Sequence, residues 1–206
     1  MSKRFLVPAG LLLALAVPCA AASGSGGGCS ESFDAAGAPA LPPGWHSSGT
    51  ADAAAWRTLA DGSDTPPNAV RLADHGARRY EAALLGPRFT VPAQGAILSF
   101  RQRRAYSWAN TVGVLEIAIA DGHFVDILAA GGEFLSGTYD GRSFASNPLG
   151  YRRGWLASSG GYTETRIRLP HAAAGKSVQL RFRAGSAGTG DDSPGWYLDS
   201  IVCSSP

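Results

Sequence analysis

The sequence predicts an all-β fold, a β-sandwich or jelly roll. Three observations carry that prediction. Apolar residues alternate with polar ones at period two in several short runs. With 27 Gly and 13 Pro, plus frequent Asp and Asn, the chain is broken into short runs by turn residues. No long stretch of helical period follows the N-terminal apolar run, so a βαβ rhythm is absent and no repeat of fixed period is seen.

The chain opens on "MSKR", a basic segment, followed by "FLVPAGLLLALAVPCA", which is apolar but short for a bilayer span. Ala20 and Ala22 supply the small residues of a cleavage site. Residues 1–22 are expected to be a Sec-type signal peptide and 23–29 a flexible Gly/Ser leader. One domain is expected over 30–203, and 204–206 is a short tail. A lipoprotein anchor is the alternative, but Cys19 follows "AVP" and Cys29 follows "GGG", and neither setting resembles a lipobox. The expectation is a soluble secreted protein, extracellular or periplasmic.

Export changes the charge and the cysteine count. Loss of Lys3 and Arg4 takes 18 basic residues to 16, equal to the 16 acidic ones. A net charge of zero removes the main support for a nucleic-acid or anionic-membrane surface. Loss of Cys19 leaves Cys29 and Cys203, which in an oxidising compartment read as one disulfide closing almost the whole domain. First and last strands are then neighbours.

The strands follow in order. "AILSFRQR" (96–103) and "GVLEIAIA" (113–120) are apolar enough for central positions. "HFVDIL" (123–128), after Asp121-Gly122, reads as the return arm of a hairpin with a type I′ turn. "TRIRLP" places Ile167 and Leu169 inward. "SVQLRFRA" puts Val178, Leu180, Phe182 and Ala184 on one face, with Gln179, Arg181 and Arg183 on the other. In "RQRR" (101–104), Arg101 and Arg103 share a face opposite Gln102 and Arg104, and the arginines read as a solvated surface.

Catalytic motifs are weak. His46, His75, His123 and His171 are scattered, with no metal-ligand spacing. Ser159 in "ASSGGY" partly matches a protease nucleophile loop but is preceded by Ser158 where an acid is normal. Ser143 in "GRSFA" lacks the final Gly of a nucleophile elbow. Asp191 and Asp192, followed by Ser-Pro-Gly, read as a turn. The expectation is a protein without catalysis; a hydrolase using Ser159 or an acid pair is the alternative, and a purely structural exported domain the third. Trp45, Trp56 and Trp196 are expected in the core, while Trp108, Trp155 and Tyr151 lie in or beside polar loops and are the candidate ligand contacts. Acids fall where the chain ends should meet, Glu31 and Asp34 early and Asp199 late, and calcium takes oxygen ligands of this kind.

Several segments together resemble one family. "ESFDAAGAPALPPGW", "EAALLGPRFTVP", "NPLGYRRGWLASSGGYTETRIRLP" and "AGKSVQLRFRAGS…GWYLDSI" are similar, in order, to segments of the cleaved-adhesin or choice-of-anchor J domain, a MAM-like accessory domain of secreted bacterial proteins. The resemblance covers roughly residues 30 to 203. It implies a jelly-roll β-sandwich of two antiparallel sheets with adjacent N- and C-terminal strands, and a non-catalytic role in adhesion to a glycan or protein outside the cell. It also implies a structural calcium on Glu31, Glu81 and Asp199, with Asp74 a fourth ligand. Ser200 stands where the family's second closing Asp would be, which removes one ligand.

Overall fold

A computed structural model describes residues 29–50, 55–75, 77–106 and 111–206. The expected signal peptide, most of the leader and Trp108 lie outside the described residues.

Two six-stranded antiparallel sheets face each other. The first contains β1 (His46–Gly49), β4 (Arg79–Leu85), β13 (Ser177–Ala187), β7 (Thr111–Ile119) and β8 (Val125–Asp126) in that order, with β5 (Phe89–Thr90) paired to β13. The second runs β2 (Trp56–Leu59), β3 (Ala69–His75), β14 (Asp192–Ser204), β6 (Ile97–Ala105), β12 (Thr163–Arg168), β9 (Glu133–Ser136). A small hairpin, β10 (Gly141–Arg142) with β11 (Arg153–Gly154), completes the strands. Sequence neighbours are seldom sheet neighbours, so most pairings are long-range.

Period-two alternation decides which side chains go inward. On β13, Val178, Leu180, Phe182 and Ala184 are buried, while Gln179, Arg181 and Arg183 face outward. On β6, Leu98, Phe100, Gln102 and Arg104 face the core and Arg101 and Arg103 face out. The central core is aromatic. Trp155 and Trp196 have centroids 5.7 Å apart, Phe100 and Phe182 5.2 Å, and Trp56 and Trp196 5.3 Å. The tilted and edge-on geometries place ring edges on ring faces, as the aromatic quadrupole favours.

Some polar groups that reach this core are paired, whereas among the described residues Trp56 Nε1, Thr58 Oγ1 and Tyr106 Oη have no hydrogen-bond partner. Trp196 Nε1 donates to Gln102 Oε1 at 3.0 Å, and Gln102 Nε2 donates to Thr165 Oγ1 at 2.6 Å. Arg104, expected to be solvated, is instead buried and donates to Asp140 at 3.0 Å. Its place on the inner face leaves the guanidinium only the end of the sandwich, where Asp140 waits.

The chain ends meet as expected. Glu31 and Ile201 exchange two backbone hydrogen bonds of 2.8 Å, and Cys29 is bonded to Cys203. The expected type I′ turn at Asp121-Gly122 differs. Gly122 N–H closes on Ile119 C=O, and Ala120 takes the left-handed conformation (φ 52°). β7 stays paired with β13 as far as Ile119, which moves the turn one residue earlier. One glycine in "DSPGW" is obligatory: Gly195 has φ +91° in an irregular stretch of β14, and a Cβ there would stand 2.0 Å from Leu72 C=O.

Candidate functional site

The four acids named for calcium occupy separate settings. Asp199 is fully buried, and its Oδ2 accepts from Asp64 N–H at 2.9 Å and Thr65 N–H at 3.0 Å. Arg101 then grips Asp64 at 2.6 and 3.1 Å. Asp199 is thus a charged anchor for the 62–68 loop. Asp74, also buried, accepts from Tyr80 Oη (2.9 Å), Thr111 Oγ1 (3.0 Å) and Ser193 Oγ (3.1 Å). Burial, then the Asp74 carboxylate, push the Tyr80 phenol up, so it remains a donor. Glu81 lies on β4 of the first sheet and pairs with Arg183 on the neighbouring β13, and Glu31 accepts from Phe33 N–H at 2.7 Å. Among the described residues no group of three or more His, Cys, Asp or Glu side chains could hold a metal ion. The four acids expected to share a calcium are therefore not brought together. Alternation and sheet membership send these acids apart, and N–H or O–H donors occupy the oxygens of the two buried ones.

The hydroxyls singled out for catalysis face backbone. Ser159 Oγ donates to Gly161 C=O and accepts from Arg104 N–H. Ser143 Oγ donates to the carbonyls of Gly150 and Arg152. Neither has a base among these partners. Asp192 reaches His75 at 3.6 Å in an exposed pair.

Of the three aromatic candidates, Trp155 is corrected. It is fully buried, in contact with Phe100, Phe134, Tyr139 and Trp196. Two features draw it in. Its backbone bridges Gly113 on β7, and its indole N–H finds Gly137 C=O at 2.8 Å, so the ring enters the core with its polar edge satisfied. The polar residues around it in sequence belong to the hairpin outside.

Tyr151 stays outside, 66% exposed. It sits on the β10–β11 hairpin, where Gly141 pairs with Gly154 and Arg142 with Arg153. Ser143 N–H bonds Arg152 C=O at 2.9 Å, which carries the register on and sets Phe144 opposite Tyr151. Phe144 is 55% exposed. Alternation then puts Arg142, Phe144, Tyr151 and Arg153 on the outward face of the hairpin. Arg142 lies 5.4 Å from the Tyr151 ring centroid. "SFAS" gave one signal that sequence reading passed over: a lone large aromatic among small residues, with no apolar run around it to form a core face.

The inward face of the hairpin is fixed to the first sheet. Arg152 donates to Glu116 on β7 at 2.8 Å and to Asp126 on β8 at 2.7 Å. Glu116, only 3% exposed, also receives Arg181 at 2.5 Å and Arg183 at 3.4 Å. Burial alone would raise the Glu116 pKa. Hydrogen bonds and charge from Arg152 and Arg181 outweigh it and hold the carboxyl below its ordinary range. Asn147 Nδ2 bonds Gly185 C=O at 2.8 Å, and Arg79 bonds Ser146 C=O. Gly154 passes so close to β7 that a Cβ would be 2.3 Å from Val112. Two exposed rings therefore stand on a clamped support.

No protein-family model matches the chain, and no curated protein matches it. Among solved structures, the K1 cleaved adhesin domain of Lys-gingipain from Porphyromonas gingivalis W83 is similar. It is 15% identical with a TM-score of 0.50, covering 86% of this chain and 97% of that domain. The K2 cleaved adhesin domain of Lys-gingipain is 14% identical with a TM-score of 0.49, over 85% and 96% of the two chains. TmCBM61, solved with beta-1,4-galactotriose, is 11% identical with a TM-score of 0.48, over 79% and 88%. The fold is thus a jelly-roll β-sandwich similar to that of the K1 cleaved adhesin domain.

Proposed function

We propose that this protein is a non-catalytic glycan-binding module that works outside the cytoplasm. Its contact surface is the outward face of the β10–β11 hairpin. The observation that carries this reading is the exposed Phe144–Tyr151 pair on a hairpin clamped from below by Arg152. A solvent-facing pair of large rings costs free energy in the unbound protein, and sugar rings present C–H faces that stack on aromatic planes. The clamp holds the rings before ligand arrives, so little ordering is lost on binding. Arg142 and Arg153 flank the pair and supply donors for hydroxyl or carboxylate groups. The Cys29–Cys203 disulfide supports an oxidising compartment.

Affinity electrophoresis through gels cast with neutral polysaccharides tests the reading. The unaltered protein is retarded in at least one gel, and Tyr151→Ala and Phe144→Ala restore its mobility without changing the melting temperature. Unchanged mobility in every gel would refute glycan binding. Retention on immobilised extracellular proteins, lost with the same two variants, would assign the hairpin to protein adhesion instead.

A further inference from the structure

The outer face of the second sheet carries a row of cations that the hairpin reading does not use. Arg57 on β2 lies directly opposite Arg71 on β3. Arg71 lies opposite Tyr197 on β14, and Tyr197 opposite Arg103 on β6. The row crosses four strands, three inter-strand spacings or about 14 Å. Arg57 is exposed, and Arg71 and Arg103 are half-buried. Like charges opposite each other on a sheet oppose folding.

Two of the three guanidiniums, Arg71 and Arg103, are positioned by the Tyr197 ring, with no acid in the row, and Arg57 stands exposed on the edge strand. The Arg103 Cζ lies 4.0 Å from the Tyr197 centroid and the Arg71 Cζ 5.7 Å. Among the described residues none of the three has an ion-pair partner, whereas Arg101, on the same face of β6, is held by Asp64. Arg103 Nε is shielded from solvent and has no hydrogen-bond acceptor. Arg57 and Arg71 also line a 330 Å³ groove with His75, floored by Ala55, Leu59 and Ala73. Asp192, beside His75, is the acid at its end.

We infer that this row is an anion-binding site for a linear acidic polysaccharide bearing carboxylate or sulfate groups. One guanidinium exposed at the sheet edge and two held against Tyr197 present a line of positive charge to a chain of regularly spaced anions, and the guanidinium fork suits carboxylate and sulfate oxygens. Among the described residues no exposed large apolar side chain lies on β2, β3 or β6, and Val202 on β14 is five positions along the strand from Tyr197, so the row has no apolar anchor of a protein interface beside it. Tyr197 is 5% exposed, leaving no open ring on which nucleic-acid bases could stack. The hairpin lies over the other sheet, so the two sites are independent.

The test is retention of the disulfide-bonded protein on heparin and on alginate at low salt, with polyglutamate and single-stranded DNA as comparison matrices. The protein is retained on heparin or alginate, and salt elutes it. Arg57→Ala/Arg71→Ala loses that retention while its melting temperature stays equal or rises, because a repulsive pair has been relieved. Arg57→Ala alone, at an exposed edge position, weakens retention and serves if the double variant folds poorly. Flow-through of the unaltered protein on both glycans would overturn the inference, as would unchanged retention of the variants. A lowered melting temperature for Arg57→Ala would mark the row as structural. Equal retention on polyglutamate or DNA would overturn the choice of glycan. Retention lost instead with Arg142→Ala/Arg153→Ala would place the anion site on the hairpin. Tyr151→Ala leaves heparin retention intact, so failure of the hairpin reading is read separately.

Discussion

Replacing Glu116 by Gln tests the support beneath the hairpin. The side chain keeps its shape and one oxygen acceptor but loses the charge shared by three arginines. Arg152 retains Asp126 at 2.7 Å and Arg183 retains Glu81 at 2.7 Å, so Arg181 is the one left with no acid. Breaking a buried ion pair costs about 3–5 kcal/mol. The arginines are 22–24% exposed, and water partly compensates them, which puts the cost near about 3 kcal/mol. For a domain of this size that lowers the melting temperature by about 6–12 °C.

The assay is thermal unfolding followed by circular dichroism across a pH series. The sign follows from the lowered Glu116 pKa. The group binds a proton less readily in the folded protein, so its contribution is complete above the unfolded value of about 4.3 and drains away as pH falls below it. The gap between the unaltered protein and Glu116→Gln is therefore full at pH 7 and narrows below about pH 4. Equal melting temperatures at neutral pH would refute the network's role. A gap that stays constant into acid would refute its electrostatic origin.

Three further outcomes follow from other contacts in the fold. Asp199→Ala removes the acceptor of the Asp64 and Thr65 N–H groups, freeing the loop they anchor, and destabilises by about 2–4 kcal/mol. Unfolding of the unaltered protein is the same with chelator as with added calcium, and a midpoint raised by calcium would show that the acids converge after all. Reduction of Cys29–Cys203, which closes 174 residues of sequence separation, costs about 5 kcal/mol in the chain-entropy account. Melting with and without reductant measures it, and an unchanged midpoint would contradict that account.

Alternation is local, and that is why most of the architecture was legible in sequence. The inward sets on β13 and β6 follow from a two-residue repeat that any strand must obey. The pairing of Cys29 with Cys203 followed from counting the cysteines outside the expected signal peptide, and the bond joins the two ends of the domain. The tertiary structure alone decided what each polar or aromatic residue does. Trp155 and Tyr151 are four positions apart in the same polar stretch, yet one fills the core and the other meets solvent. The backbone bridge to Gly113, 42 positions away in sequence, separates them. Asp199 looked like a metal ligand and is a loop anchor because Asp64 and Thr65 fold over it. Arg57, Arg71 and Arg103 are unremarkable one by one in sequence, and only long-range register lines them up. Strand period is written in adjacent residues, whereas a site is assembled by pairings between distant strands, which no local pattern encodes.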